Sequence, residues 1–411
     1  MSGGDASAHP APERRSKNST YTVLAAALVS GVSGYLALII AARTLSPADN
    51  AEFLVYWGVV FALYGVLIGV TTEATRAVTT ARDPRSGPTR LVPVSIGFGL
   101  ALVAATVLTG PVWAPAILGT HWLSLLGATG LGATLFTAHA AVAGVASGRG
   151  VWSGYSLLVA GETASRLVLF AVVALVGASV TGFAVASAVA SGFWLLATAS
   201  SRRYRDLWNQ RVDADVRGLV RRLVAACSAA GVTALLLVGY PILLRVTTPD
   251  DVFAGAAPLV LAVSLCRAPL LVPLGAYQNV VVARVAAHGL RALRPVLLGL
   301  GVLTAIGALA AWPVGPWALR LVNPDYHVDG PVFAGLVLGA GLVAVLTVTG
   351  AAAVALDHHA VYLAGWIAAT ATTVGVLLVP GTLEARVVTS LLVGPAVGVV
   401  VHLVGGHRRI R

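Results

Sequence analysis

Charge is what this 411-residue chain has least of. Asp, Glu, Lys and Arg together make up 10% of it, whereas a soluble domain carries about 25%. With 57% hydrophobic residues and a mean hydropathy of +0.87, a water-soluble globule is excluded. Cysteine is nearly missing too. Cys227 and Cys266, the only two, both fall inside apolar runs, so neither a disulfide framework nor a metal cluster can be built from them, and they read as small core residues. Lys17 is the only lysine among 27 basic residues, a bias of coding composition that carries no mechanism. Also absent are a Gly-Lys-Ser/Thr phosphate loop, a His-Glu-x-x-His metal motif and a Gly-x-Ser-x-Gly nucleophile elbow. No outer loop is long enough to house a catalytic domain. ATP hydrolysis by the chain is excluded, and it reads as a non-enzyme that needs no cofactor.

What is present is a series of long apolar runs. Crossing about 30 Å of hydrocarbon takes roughly 20 residues of helix. Runs of that length lie at 21–42, 52–74, 91–110, 122–146, 152–177, 180–199, 223–244, 252–280, 295–312, 331–355, 360–379 and 387–405. They are continuous and lack the period-two alternation of a membrane barrel. The chain is therefore expected to be an all-α polytopic integral membrane protein with twelve transmembrane helices. Residues 1–19 are small, polar and charged (Pro10, Pro12, Glu13, Arg14, Arg15, Lys17), a composition that cannot pack a core and reads as a disordered cytosolic tail. The run at 21–42 is too long for a signal-peptide core and reads as an uncleaved first helix.

The runs fall into two halves. Arg43-Thr-Leu-Ser-Pro-Ala-Asp49 is answered by Arg245-Val-Thr-Thr-Pro-Asp-Asp251, and Pro111 in Gly110-Pro-Val-Trp113 by Pro313 in Trp312-Pro-Val-Gly315, at one constant offset of about half the chain. Such a period is too long for a solenoid. It predicts two pseudo-symmetric six-helix lobes, 20–200 and 223–405, joined by a basic linker at 201–222 and followed by a cytosolic tail at 406–411. Each seven-residue motif is expected to be a tight hairpin between two spans.

Basic residues near span ends are held on the cytoplasmic side. Placing the amino terminus inside leaves only Arg43, Arg245, Arg320 and Arg386 outside, with Arg166 and Arg267 within spans. This predicts a multi-pass protein of the cytoplasmic (inner) membrane with both termini cytosolic. The linker (Arg202, Arg203, Tyr204, Arg205, Trp208, Leu219, Val220) is basic and amphipathic. It is either an interdomain connection obeying the same rule or a contact for anionic membrane lipids, each surface arginine adding about 1 kcal/mol. The net charge of +11 thus points to a membrane surface and to no nucleic acid.

Charged groups at mid-bilayer cost at least about 2.5–3.5 kcal/mol and usually face a protein interior or a watery cavity. Glu162, Arg166 and Arg267 are the three here. Glu162 precedes Arg166 by four residues, the favourable order for a pair on one helix face, and Trp152, Tyr155 and Val159 continue the same stripe. The pair either locks helices together or forms a cavity wall where Arg166 meets an anionic ligand and Glu162 tunes it or carries a proton. Arg267 has no acid within helical reach, and its span also holds Pro258, Pro269 and Pro273, so a kinked span beside a ligand site is expected. The competing reading is a bridge from Arg267 to Glu162. Guanidinium suits phosphate because its planar fork offers two parallel donors and stays charged. His139 is a packing histidine or a proton carrier. Glu73 with Arg76, and Gln278 with Asn279, read as interfacial polar ends.

From Leu38 to Phe53 the chain reads Leu-Ile-Ile-Ala-Ala-Arg-Thr-Leu-Ser-Pro-Ala-Asp-Asn-Ala-Glu-Phe. This resembles the Ala-Arg-x-Leu-x-Pro-x-(acidic or polar)-x-Gly-x-Phe signature at the first hairpin of the oligosaccharide and polysaccharide export flippases. Those belong to the multidrug, oligosaccharidyl-lipid and polysaccharide exporter superfamily; Ala51 stands at the usual glycine. Gly144 to Tyr155, with Gly148-Arg149-Gly150, is similar to that family's inner hairpin between spans four and five, and Arg245–Asp251 to the hairpin opening its second lobe. The resemblance covers about residues 20–405. It implies two six-helix lobes, alternating access between them and a polyprenyl-pyrophosphate-linked glycan as cargo for cell-envelope polysaccharide biosynthesis. Arg267, Arg166, Glu162, Tyr155 and His139 are the candidate substrate-binding residues by position, since no family motif covers them. Three mid-span charges are few for such a cavity, which leaves room for another lipid-like cargo. Two alternatives stand beside this expectation: an exporter of small amphipathic compounds coupled to a proton or sodium gradient, and a non-transporting scaffold for membrane partners in glycan assembly.

Overall fold

In hydrocarbon every backbone N–H and C=O must find its partner within its own segment, so long apolar runs become helices. The computed structural model describes residues 17–82 and 87–407. The first half contains α1 (Lys17–Thr44), α2 (Pro47–Thr79), α3 (Leu91–Leu118), α4 (Trp122–Gly148), α5 (Trp152–Val176), α6 (Val180–Ala190) and α7 (Phe193–Ser200). After α8 (Arg202–Leu207) in the linker come α9 (Val216–Leu237), α10 (Tyr240–Val246), α11 (Asp250–Phe253), α12 (Ala257–His288), α13 (Leu293–Val322), α14 (Gly330–Ala355), α15 (His359–Leu377) and α16 (Leu383–His407). Among the described residues, ten stretches are long and apolar enough to cross a membrane, one of them a 58-residue run, Leu91–Gly148, that contains both α3 and α4. A 3-10 turn at Gly119–His121 separates those two. Counting that run as two, and adding α12, gives twelve helical spans. Spans six and seven are each interrupted once, between α6 and α7 and between α9 and α10. Of the two expected tails, residues 17–19, 406 and 407 are helical, and the remainder lies outside the described residues.

The expected ends of spans three and nine are corrected. Spans three and nine do not stop before Pro111 and Pro313. Helices α3 and α13 continue to Leu118 and Val322 with Pro111, Pro115, Pro313 and Pro316 inside them. Helix α12 is continuous, and Pro258 sits in its first turn, where a missing N–H costs nothing. Neighbouring helices re-satisfy the groups that an interior proline frees, a tolerance that soluble helices lack.

Ser46 caps α2 by accepting the Asp49 N–H at 3.2 Å, with Pro47 in the first turn, the arrangement that best satisfies a free helix start. The second copy keeps the turn but not the bonds: Arg245 pairs with Asp250 at 2.6 Å, and the buried Thr248 hydroxyl has no partner.

The linker is folded. Thr89–Arg90 and Arg211–Val212 form a two-stranded antiparallel ladder, β1 and β2. The Arg149 Nε donates to Gln210 Oε1 at 2.6 Å, the Leu91 N–H to the Gln210 carbonyl at 3.0 Å, and the Arg211 guanidinium to the Gly87 carbonyl at 2.9 Å. Trp208 packs its ring 5.3 Å from that of Trp194. The linker is thereby fastened to the first half, and its last residues already belong to α9, which Asp215 caps.

Within the first lobe α1 packs on α5, and α4 on α2, α3 and α6; within the second, α14 packs on α12, α13 and α16, and α15 on α16. The main seam between lobes runs along α2 and α9. A Cβ on Gly65 would lie 2.5 Å from Ala234 Cβ, and one on Gly69 2.5 Å from the Cys227 backbone. Small residues there let the two backbones touch, the usual basis of helix association in lipid.

Candidate functional site: a cavity between the lobes

A cavity of about 500 Å³ lies between the lobes, walled by α1, α2, α12, α14 and the interruption between α9 and α10. Its wall is largely apolar and aromatic, with Tyr35, Trp57, Phe61 and Tyr240 among the lining residues. Arg267 is the only charged side chain on it among the described residues.

The position of Arg267 follows from the break in span seven. A helix end leaves its last carbonyls without intrahelical partners, and burying them unpaired is costly. Helix α9 ends at Leu237, and Arg267 Nη1 reaches across from α12 to the carbonyls of Leu236 at 3.2 Å and Leu237 at 3.0 Å. The negative end of the α9 dipole favours a cation there. Arg267 Cζ also stands 5.1 Å from the centroid of the Tyr240 ring, within cation–π range. The residue is 6% exposed, and its Nε and Nη2 atoms have no hydrogen-bond partner. The Nε–Nη2 edge is the two-donor fork of a guanidinium, so the side that binds carboxylate or phosphate is the free one.

Arg166 has a different setting. It is paired with Glu162 on the same helix and buried with it, and the bridge from Arg267 to Glu162 is not formed. The Arg166 Cζ lies 4.9 Å from the Phe61 ring and 5.8 Å from the Trp57 ring, so it sits against two aromatics that line the cavity without lining it itself. Ser191, at the break in span six, donates to Glu162 at 3.4 Å and shares a 2.8 Å hydrogen bond with Tyr64. Tyr64 stacks on Phe136 at 4.1 Å, and Phe136 on His139 at 5.4 Å. His139 is buried and its Nδ1 has no partner. Glu162, Arg166 and His139 thus form one internal cluster of the first lobe, separate from Arg267. Tyr155 packs half-buried against the core and does not line the cavity. Glu73 and Arg76 pair at 2.6 Å as expected.

On the face that carries the Ser46 hairpin, the lobes are sutured. Arg43 donates to the carbonyls of Val322, at 3.1 Å, and Leu321; Asn323 Nδ2 donates to the Ala42 carbonyl at 2.8 Å; and Asn50 Nδ2 donates to the Tyr326 hydroxyl at 2.8 Å. Asn50 and Tyr326 are both fully buried. Burial pushes the Tyr326 phenol above its ordinary range, with the Asn50 hydrogen bond acting against that, so the hydroxyl stays neutral at working pH.

Sequence reasoning missed Tyr240, Trp57 and Phe61 as cavity residues and Asn50 and Tyr326 as a seal. Asn50 directly follows the repeated motif and is unanswered in the second copy, where Val252 stands, a signal that could have marked it.

No family model matches the chain. Among solved structures, an inward-facing multidrug resistance MATE family transporter of the MOP superfamily is similar to it with a TM-score of 0.72, over 95% of this chain and 98% of its own, at 15% identity. An outward-facing structure of a multidrug resistance MATE family transporter gives 0.67 over 96% of each chain at 16% identity. A MOP superfamily transporter from Pyrococcus furiosus gives 0.66 over 94% and 95% at 15% identity. At such identities the likeness is one of fold, two lobes of transmembrane helices, and with its apolar helices it makes the chain a multi-pass membrane protein. In sequence, the uncharacterized protein Rv1510 of Mycobacterium tuberculosis (strain ATCC 25618 / H37Rv) is 36% identical over 396 residues, 94% of this chain and 90% of its own. Rv3630 of the same strain, also an uncharacterized protein, is 34% identical over 391 residues, 92% and 90%. The chain therefore belongs to the family that includes Rv1510 and Rv3630.

Proposed function

We propose that the chain is an exporter of the cytoplasmic membrane, both termini cytosolic, that moves a lipid-linked oligosaccharide or polysaccharide precursor by alternating access of its two lobes. One observation carries the reading: the free two-donor edge of Arg267 at a largely apolar interlobe cavity that holds no other charge among the described residues. A buried guanidinium with unmet donors favours an anionic guest, and aromatic walls favour an amphipathic one. A site between repeated lobes suits a transporter, and the fold likeness supports the same class. The lipid tail would stay in the bilayer while the headgroup crosses, and the Glu162–Arg166 pair would keep the aromatic wall rigid.

The test is translocation of a fluorescent short-chain prenyl-phosphate-linked sugar in vesicles. Vesicles holding the protein should flip it, and Arg267→Ala at equal protein density should slow this by about tenfold or more, as loss of a charge-assisted hydrogen bond predicts. Rates equal to those of empty vesicles would favour the scaffold reading.

The aromatic lining and the likeness to multidrug resistance transporters also favour export of small amphipathic compounds driven by a proton or sodium gradient. Collapsing the gradient that drives it in loaded vesicles would stop such export and leave downhill lipid flipping unchanged.

A further inference from the structure

We infer that the headgroup taken into this cavity carries a single negative charge, a phosphodiester bearing one or two polyhydroxylated rings, and not a pyrophosphate; this rests on the reading of the cavity as the site of an anionic amphiphile. The charge balance comes first. Arg267 is the only ionisable cation on the wall among the described residues, and part of its field is already answered by the α9 carbonyls that Nη1 caps. The edge that remains, Nε and Nη2, is enclosed and carries two parallel donors without a partner, a match for two oxygens of one phosphate. A second phosphate would enter a low-dielectric cavity with no counter-charge, and an unpaired buried charge is strongly disfavoured.

The neutral groups point the same way. Three aliphatic hydroxyls line the cavity, from Ser30, Ser264 and Thr347, beside the phenols of Tyr35 and Tyr240. Each already spends its proton on a helix carbonyl: Ser30 on Val159 at 3.4 Å, Ser264 on Val260 at 3.1 Å, Thr347 on Val343 at 2.9 Å. What they present is acceptor lone pairs. Acceptors receive the hydroxyls of a sugar or polyol, and neither they nor the two phenols carry a charge that would balance a second phosphate. Trp57 and Phe61, stacked on each other at 4.3 Å, add aromatic surface to the wall for the C–H side of such a ring. The size agrees as well, since a cavity of about 500 Å³ lies within the roughly 300–1,000 Å³ that encloses a drug-sized molecule, not a long glycan.

Prenyl-phosphate sugars and glycerophospholipids with polyol headgroups share this chemistry, and the experiment separates them. The full-length protein in neutral detergent is titrated with four probes and read by native mass spectrometry and thermal shift: citronellyl phosphoglucose, dihexanoyl phosphatidylinositol, citronellyl pyrophosphate and octyl glucoside. At least one diester should bind about tenfold or more tightly than the pyrophosphate, a difference of about 1.4 kcal/mol, and the tighter diester identifies the source. Arg267→Gln should remove that preference, and Arg267→Lys, with the charge but not the fork, should weaken the diester by about tenfold. If the pyrophosphate binds as tightly as the diesters or more so, and through Arg267, the single-charge inference falls while the anionic-cargo reading stands. If octyl glucoside matches the diesters and Arg267→Gln changes nothing, both fall. Ranking the probes on the unmodified protein needs no variant, so poor folding of either one leaves the test intact.

Discussion

Asn50 and Tyr326, 276 positions apart in sequence, meet through a 2.8 Å hydrogen bond at which neither side chain is exposed. The bond joins α2 of the first lobe to the segment after α13 of the second, and its strength comes from burial, because a donor stranded there without water loses its full solvation.

Tyr326→Phe removes that acceptor and should weaken the seal on the hairpin face by about 1–3 kcal/mol, roughly a 5- to 150-fold shift in population. A cysteine at Leu54, on the cavity wall, reports it through its rate of labelling by a membrane-impermeant maleimide. Unchanged labelling would mean that the other sutures hold the face closed alone.

Arg43 and Arg245 occupy matching places in the repeat but do different work. Arg43 crosses to Val322 and Leu321, whereas Arg245 binds Asp250 of its own hairpin, which is 88% exposed. Arg43→Ala should raise the same labelling rate. Arg245→Ala should leave it unchanged.

Glu162→Gln leaves Arg166 buried without a counter-charge and should lower stability by about 3–5 kcal/mol. Replacing both residues, Glu162→Met with Arg166→Met, should recover much of that loss, since apolar groups of similar volume often substitute for a buried pair without penalty. Denaturant or thermal unfolding in detergent measures both. A double variant no better than the single one would give the pair a role beyond neutralising itself.

Gly69→Ala should force α2 from α9, because the new methyl would lie 2.5 Å from Cys227 backbone atoms; overpacking of this kind costs about 1–3 kcal/mol. Gly34→Ala is the control, with nothing within 4 Å of its Cβ position. Comparable melting temperatures for the two variants would show that the lobes part without strain along this seam.

The membrane class, the twelve spans and the doubling into two lobes were legible in the chain alone. Hydrocarbon imposes length and apolarity on each span separately, and duplication leaves its mark as a constant offset. The Glu162–Arg166 pair was legible for a related reason: partners four residues apart on one helix meet whatever the rest of the fold does. Tertiary structure alone decided the rest. Nothing near Arg267 in sequence announces that its partners are the carbonyls of Leu236 and Leu237, because a backbone carbonyl has no residue identity to read and the break that exposes it lies in another span. The ends of α3 and α13 were placed too early for a similar reason, since the helices that make their interior prolines tolerable are distant in sequence and adjacent only in the fold.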